Sequence, residues 1–181
     1  MQPSEFACID FVNSAFTDYL GREASADRLE SPEWLKWFLD RYRLTPSDPH
    51  DPPVTDLAVL RRDIRRTLDK WSQLVALNAR DLRLLDEHLR AAPVRLRLAQ
   101  TDAGLDLRDE PLERAWPWVK ASVAASAVEL VRDGEPTRLK TCGNPDCSWM
   151  FYDNTVNRSR RFCSTTPCGS LMRVRRFRHG D

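Results

Sequence analysis

The chain has 181 residues, 41% hydrophobic and 30% charged, with a net charge of +1, which is enough to bury the core of one ordinary domain and carry a small module beside it. No run of eighteen apolar residues occurs, so no helix that spans a membrane is expected, and Met1-Gln2-Pro3-Ser4-Glu5 lacks the basic start and apolar stretch of a secretory signal. The expected compartment is the cytoplasm, where thiols stay reduced and clustered cysteines bind metal more often than they form disulfides.

The first element is a helix over residues 6–16, an apolar segment interrupted by Asp10 and Asn13. Those two polar side chains have two readings: packing or capping groups bonded to nearby backbone, or contacts to a small-molecule ligand. Cys8 in the same run reads as a core thiol. Ser31-Pro32-Glu33 offers an N-cap followed by proline at the first helical position, with Trp34, Leu35, Phe38 and Leu39 at helical spacing behind it. Trp34 and Trp37 are expected in the core. Four prolines within residues 45–53 mark a loop.

A longer amphipathic helix follows, on which Leu57, Leu60, Ile64, Leu68, Trp71 and Val75 form one apolar stripe. Arg61, Arg62, Arg65 and Arg66 fall opposite it and read as a solvated face. Asn78 with Asp81 caps a further helix whose apolar face is Leu82, Leu85 and Leu89. Val94, Leu96 and Leu98 alternate with Arg95 and Arg97 as in a strand. Thr101-Asp102-Ala103-Gly104 can turn the chain into Leu105 and Leu107 to make a hairpin. The last helix of this region carries Trp116, Val119, Val123, Ala127 and Leu130. Pro117 either starts or kinks it, and Asp133-Gly134 ends it.

Charge divides the chain at this point. Residues 138–181 hold nine basic and three acidic side chains, a net +6, so residues 1–137 carry −5. An acidic body with a basic tail points to a polyanionic partner for the tail.

The tail contains the strongest motif, Cys142-x4-Cys147 and, fifteen residues later, Cys163-x4-Cys168. Two close pairs can each supply two thiolates from a tight turn to a tetrahedral zinc ion. Gly143, Asn144, Pro145 and Pro167 are turn formers inside the pairs. Between the pairs, residues 149–152 are strand-like, Asp153-Asn154 is a turn, and Ser170 is a candidate N-cap for a final helix. With no histidine or carboxylate in the set, the site is closed, hence structural rather than catalytic.

Cys142-Gly-Asn-Pro-Asp-Cys147, Asn157-Arg158-Ser159-Arg160-Arg161-Phe162-Cys163-Ser164, Cys168-Gly169 and Arg173-Val174-Arg175-Arg176-Phe177-Arg178 together resemble the CGNR zinc finger. Cys8-Ile9-Asp10-Phe11-Val12-Asn13-Ser14, the Leu77-Asn78 helix start and Ala91-Ala92-Pro93-Val94-Arg95 resemble the ABATE domain that precedes that finger. The resemblance covers nearly the whole chain. It implies a bacterial stress-induced transcription regulator with a zinc-binding C-terminus and a ligand-sensing N-terminus. One departure stands out: Cys168-Gly169-Ser170-Leu171 replaces the Cys-Gly-Asn-Arg that names the finger, which removes one positive charge from the presumed contact surface.

Arg173, Arg175, Arg176 and Arg178 cover much of the last helix, and Arg158, Arg160 and Arg161 precede Cys163. Arginine forks suit phosphate, and the alternative is that they offset the net −2 of four thiolates around one zinc ion. No zinc-protease motif, phosphate-cradling glycine loop or nucleophile elbow is present, and His50, His88 and His179 are scattered, so no enzyme is expected. The expected architecture is α+β: a mainly helical N-terminal domain with a small β-hairpin, residues 1–137, followed by a treble-clef-like zinc finger of β-hairpin plus helix, residues 138–181. The expected cofactor is Zn2+ and the expected partner DNA, with a small-molecule effector and a homo-oligomer as further partners. The rival reading is a protein–protein interaction module with a purely structural zinc.

Overall fold

The computed structural model describes residues 4–16, 26–102 and 104–179. Met1, Gln2 and Pro3 of the N-terminal segment, and Ala103 of the expected turn, lie outside the described residues. The architecture is a mainly helical region with small antiparallel strand pairs, followed by a C-terminal region in which four cysteines come together.

Helix α3 (Val54–Ser72) is the central element, and α1 (Ala7–Val12), α4 (Ala79–Arg90) and α5 (Trp116–Asp133) pack on it, while α2 (Pro32–Tyr42) packs on α1. The expected stripe is the reason: Leu57, Leu60, Ile64 and Leu68 are at most 1% exposed. The stripe ends at Trp71, not at Val75. Leu74 takes a left-handed φ of 59°, and the Val75 amide turns back to the Lys70 carbonyl at 2.9 Å, leaving Val75 half exposed.

Local start signals act as read. Ser31 accepts from the Trp34 amide at 3.2 Å with Pro32 in the first turn of α2. Asn78 and Asp81 form a full capping box on α4. Pro117 sits in the first turn of α5 and starts it without a kink. Gly134 follows that helix where a Cβ would lie 2.5 Å from the Leu130 carbonyl oxygen and 3.1 Å from the Trp71 ring.

Three expectations change. The helix expected over residues 6–16 stops at Val12, because Asn13 turns its side chain to the C-terminal region. Ala15–Phe16 is instead a short strand, β1, paired with β2 (Ala26–Asp27). On α4 the buried stripe is Asp81 and Leu85 with His88 half-buried, so Leu82 is 55% exposed. Polar pairs set that face: Lys70 reaches Asp81 at 2.7 Å, and His88 meets Asp63 at 3.2 Å. The arginines of α3 are not a solvated face. Arg61 forks onto Asp27 and reaches Ser14, Arg65 pairs with Asp69 and donates to the Ser148 carbonyl, and Arg66 faces Asp81. Arg62 and Arg66, with side chains 70% and 43% exposed, keep the solvent contact expected of them.

Strands β3 (Val94–Thr101) and β4 (Gly104–Pro111) form the expected hairpin in unbroken register from Val94↔Pro111 to Thr101↔Gly104. Gly104 adopts φ 117°, a conformation that favours glycine. Apolar alternation in a strand ordinarily marks a half-buried face. Here Leu96, Leu98, Leu105 and Leu107 are each more than 60% exposed, since among the described residues no other element packs substantially against the hairpin.

The last strands, β5 (Leu139–Thr141) and β6 (Met150–Tyr152), pair antiparallel, and α6 (Ser170–His179) closes the chain. Leu139 and Met150 belong to the main core, at 2% and 1% exposed. Phe6 meets Tyr152 edge-on at 5.4 Å. The C-terminal module is thus continuous with the body's core. Among the described residues no helix is long and apolar enough to cross a membrane.

Candidate metal centre

The β5–β6 hairpin carries the first cysteine pair in its connection. The Cys142 amide donates to the Trp149 carbonyl at 2.8 Å, which closes the strands, and the Cys147 amide donates to the Asn144 carbonyl at 2.9 Å, which tightens the turn between the cysteines. The second pair is supplied by the segment entering α6, with Cys168 in the turn Thr165–Gly169 immediately before it. The Gly143 amide donates to the Arg161 carbonyl at 2.8 Å and the Gly169 amide to the Ser164 carbonyl at 3.1 Å, so the two knuckles are laced to each other and to themselves. Ser170 is not an N-cap. It is already helical, and its hydroxyl donates to the Thr165 carbonyl.

The four thiol sulfurs lie within 4.8 Å of one another. The Cys147–Cys163 and Cys163–Cys168 separations are 3.9 and 3.6 Å. Four sulfurs about 2.3 Å from a tetrahedral zinc ion stand about 3.8 Å apart. The donor set therefore fits such an ion in number, element and spacing, and no disulfide competes among these cysteines. Cys142, Cys147 and Cys168 are buried and Cys163 half-buried. Mutual hydrogen bonding pulls the Cys142 thiol down, since Cys147 and Cys163 donate to it, and pushes the thiols of those two up. Crowded sulfurs share one negative charge easily and four only around a cation. Cys8 stands apart: it is fully buried in the body, and desolvation pushes its thiol up to about 12.

Groups around the sulfurs hold them in place, as outer-shell partners of a metal site do. The Asn144 side chain, fully buried, donates to the Cys168 sulfur at 3.8 Å, and the Cys163 amide donates to the Cys142 sulfur at 3.4 Å. Arg160 donates to the carbonyls of Phe162 and Cys163 and covers the Phe151 ring at 4.6 Å. Asp153, also fully buried, is a hub for the loop between the pairs. It accepts from Lys140 Nζ at 2.7 Å, from the Thr155 hydroxyl and amide, and from the Arg160 amide. Burial would raise its pKa, but these four donors outweigh burial and hold the carboxyl well below its usual range. Asp153→Asn should destabilise the module by about 2 kcal/mol, since bonds to an ionised acceptor are worth roughly 1.5–3 kcal/mol. Denaturant midpoints at pH 7 measure it. A depressed carboxyl stabilises above its unfolded pKa and loses that contribution as pH falls through the folded one, so the gap between wild type and variant should shrink below about pH 4. A gap that stays constant would show that the charge is irrelevant.

The arginines divide into two sets. Arg158 pairs with Glu135, Arg175 with Asp146 at 2.7 Å, and Arg160 is committed to backbone. The side chains of Arg161, Arg173, Arg176 and Arg178 make no hydrogen bond or ion pair among the described residues. The first three line, with Arg160, Phe162, Ser164 and Thr165, an open cavity of about 480 Å³ on the solvent side of the knuckles. Asp10 and Asn13 are far from this surface in role. Asp10 accepts from the Ser4 amide and from Tyr42 Oη at 2.7 Å, and burial raises its pKa. Asn13, 4% exposed, exchanges two 2.8 Å bonds with the backbone of Met150 in β6.

Sequence reading missed Asn144, Lys140 and Asp153 as supports of the centre. Asn144 and Asp153 were visible as turn formers, but nothing in their spacing announced a sulfur or a lysine as partner.

Residues 5–134 match the ABATE family, described as "Putative stress-induced transcription regulator". The chain belongs to the ABATE family. Residues 138–179 match the CGNR zinc finger, so the ABATE region precedes the finger along the chain. No curated protein matches the chain. The ABATE description points to a regulator rather than an enzyme, and the finger match agrees with a closed metal site.

Proposed function

We propose that this ABATE protein is a zinc-stabilised transcription regulator whose C-terminal module, residues 138–181, docks on the phosphate backbone of DNA. The observation that carries the reading is the division of the arginines. Arg158, Arg160 and Arg175 are consumed by internal partners, whereas the side chains of Arg161, Arg173 and Arg176 share one open cavity without any among the described residues. Cationic side chains left unpaired on a rigid knuckle await anions. Zinc is the metal proposed, because a closed set of four thiolates at tetrahedral spacing is its structural site. It would fix the knuckles and supply no chemistry of its own. The body, residues 1–137, serves as scaffold. An effector role for Asp10 and Asn13 is not part of this reading, since both are occupied by bonds that hold the fold together.

A protein-docking role for the module has one observation in its favour: on α6, Phe177 is 88% exposed and Val174 47%. Salt separates the two readings. Three phosphate contacts give a slope of about −2.7 for log affinity against log salt on duplex DNA, a loss of roughly 40-fold between 50 and 200 mM. Fluorescence anisotropy with a labelled duplex measures it. Arg173→Ala and Arg176→Ala should each flatten the slope by about one unit and weaken all sequences alike. Arg175→Ala, which frees only Asp146, should leave it unchanged. Salt-independent binding, or an unaltered slope in the Arg173→Ala/Arg176→Ala double variant, would overturn the DNA reading in favour of protein docking.

A further inference from the structure

The β3–β4 hairpin has two unlike faces. Directly opposed residues of an antiparallel pair share a face, so the register sorts them without ambiguity. One face holds Arg95, Arg97 and Arg108 against Glu110 and Asp106. Glu110 takes Arg95 and Arg97 at 2.7 Å each, and Arg108 meets Asp106 at 2.8 Å, so every charge on that face is paired within it and the face suits water. The other face carries Val94, Leu96, Leu98, Leu105 and Leu107, which are 52, 71, 62, 74 and 65% exposed. Its polar members are Gln100 and Asp109, whose side chains make no hydrogen bond or ion pair among the described residues.

An isolated two-stranded hairpin is marginal in water and is ordinarily stabilised by a second apolar layer. The chain does not provide that layer among its described elements. The exposed apolar face amounts to on the order of 400 Å², about the size at which patches on monomers become interaction sites. Two such faces buried against each other remove on the order of 800 Å², the low end for specific association, which suits a reversible dimer rather than a permanent one.

We propose that this hairpin is a homodimerisation element, in which two copies of the chain stack their leucine faces about a two-fold axis. The face is complementary to itself, as an isologous contact requires. With the axis through the Leu98↔Leu107 pair, those leucines meet their own counterparts. The strand level of Leu96 and Asp109 in one copy then meets that of Gln100 and Leu105 in the other. The single carboxylate on the face thus comes level with an amide that can donate to it, while the paired charges of the opposite face stay in solvent. The stacked hairpins form a four-stranded sandwich about 10 Å thick. The dimer would present two basic modules together, although the inference does not depend on what those modules bind.

Sedimentation velocity on the full chain with its metal tests this, over about 2 to 200 µM, the range of a weak specific contact. The average mass should climb from 20.9 kDa toward twice that value. Leu98→Asp/Leu107→Asp should raise the dissociation constant at least about thirtyfold. Because both side chains are already solvent-exposed, the variant should keep the wild-type circular dichroism and metal content. Arg97→Ala, on the opposite face, should dimerise as wild type does. A wild-type chain that is monomeric at 200 µM overturns the proposal and leaves the face to a different protein. A dimer indifferent to Leu98→Asp/Leu107→Asp overturns it too, because another surface then makes the contact.

Discussion

Stripping the metal from the purified protein with a strong chelator is expected to unfold residues 138–179 and to loosen the body with them. Structural zinc contributes roughly 10–16 kcal/mol in finger peptides, against about 5–15 kcal/mol for the whole stability of a typical domain. The module has little else to stand on: its own small core is Cys142, Cys147 and Cys168 with Trp149, Phe162 and Cys163 packed around them. Without a cation those sulfurs cannot all ionise, and the knuckles lose their common anchor. The effect should spread because Leu139 and Met150 are part of the main core. Metal analysis should return about one equivalent per chain, as a closed four-thiolate site requires, and Cys163→Ala should abolish it. Hydrogen exchange should then show loss of protection in β5 and β6 and, more weakly, in α1 and α3, which pack on those strands. Protection of the whole module persisting after metal loss would refute a structural metal.

Asn13→Ala should cost nearly as much as a severe core truncation although it removes a polar side chain. The Asn13 amide donates to the Met150 carbonyl and accepts from the Met150 amide, both at 2.8 Å and both buried. It does for Met150 what a residue on a neighbouring strand would do. Alanine leaves a buried N–H and a buried C=O without partners, at roughly 1–3 kcal/mol each, so a total of about 2–6 kcal/mol is expected. Thermal or urea unfolding measures the loss, and exchange of the Met150 amide localises it. Asn13→Asp should fare no better, since a carboxylate cannot donate to the carbonyl. A loss below about 1 kcal/mol would mean that water or a relaxed backbone replaces the side chain.

Asn13 also shows where reading the chain stops. Its partner is 137 positions away, and no local pattern reports such a distance. The same holds for Arg61 and Asp27, which turn an expected solvated face into an internal clamp, and for Asp81 and Lys70, whose pairing rotates α4 and exposes Leu82. Charge patterning along a helix identifies which side chains share a surface, and only packing decides which surface meets water.

What the sequence determined by itself is short-range. The capping box of Asn78 and Asp81, the Ser31-Pro32 helix start, the buried stripe of α3 up to Leu68 and the two cysteine pairs all rest on side chains reaching a few residues along the chain. Such geometry is dictated by helical rise and turn closure before any tertiary contact forms. The tertiary structure decided what long-range competition for partners settles. It brought the two cysteine pairs to metal-ligand spacing and fused the module to the body through Asn13, Leu139 and Met150. It consumed the side chains of three of the seven candidate arginines and left those of the other four without a partner among the described residues. It also left the leucine face of the hairpin in solvent, because alternation specifies a two-faced strand and says nothing about what, if anything, covers the apolar face.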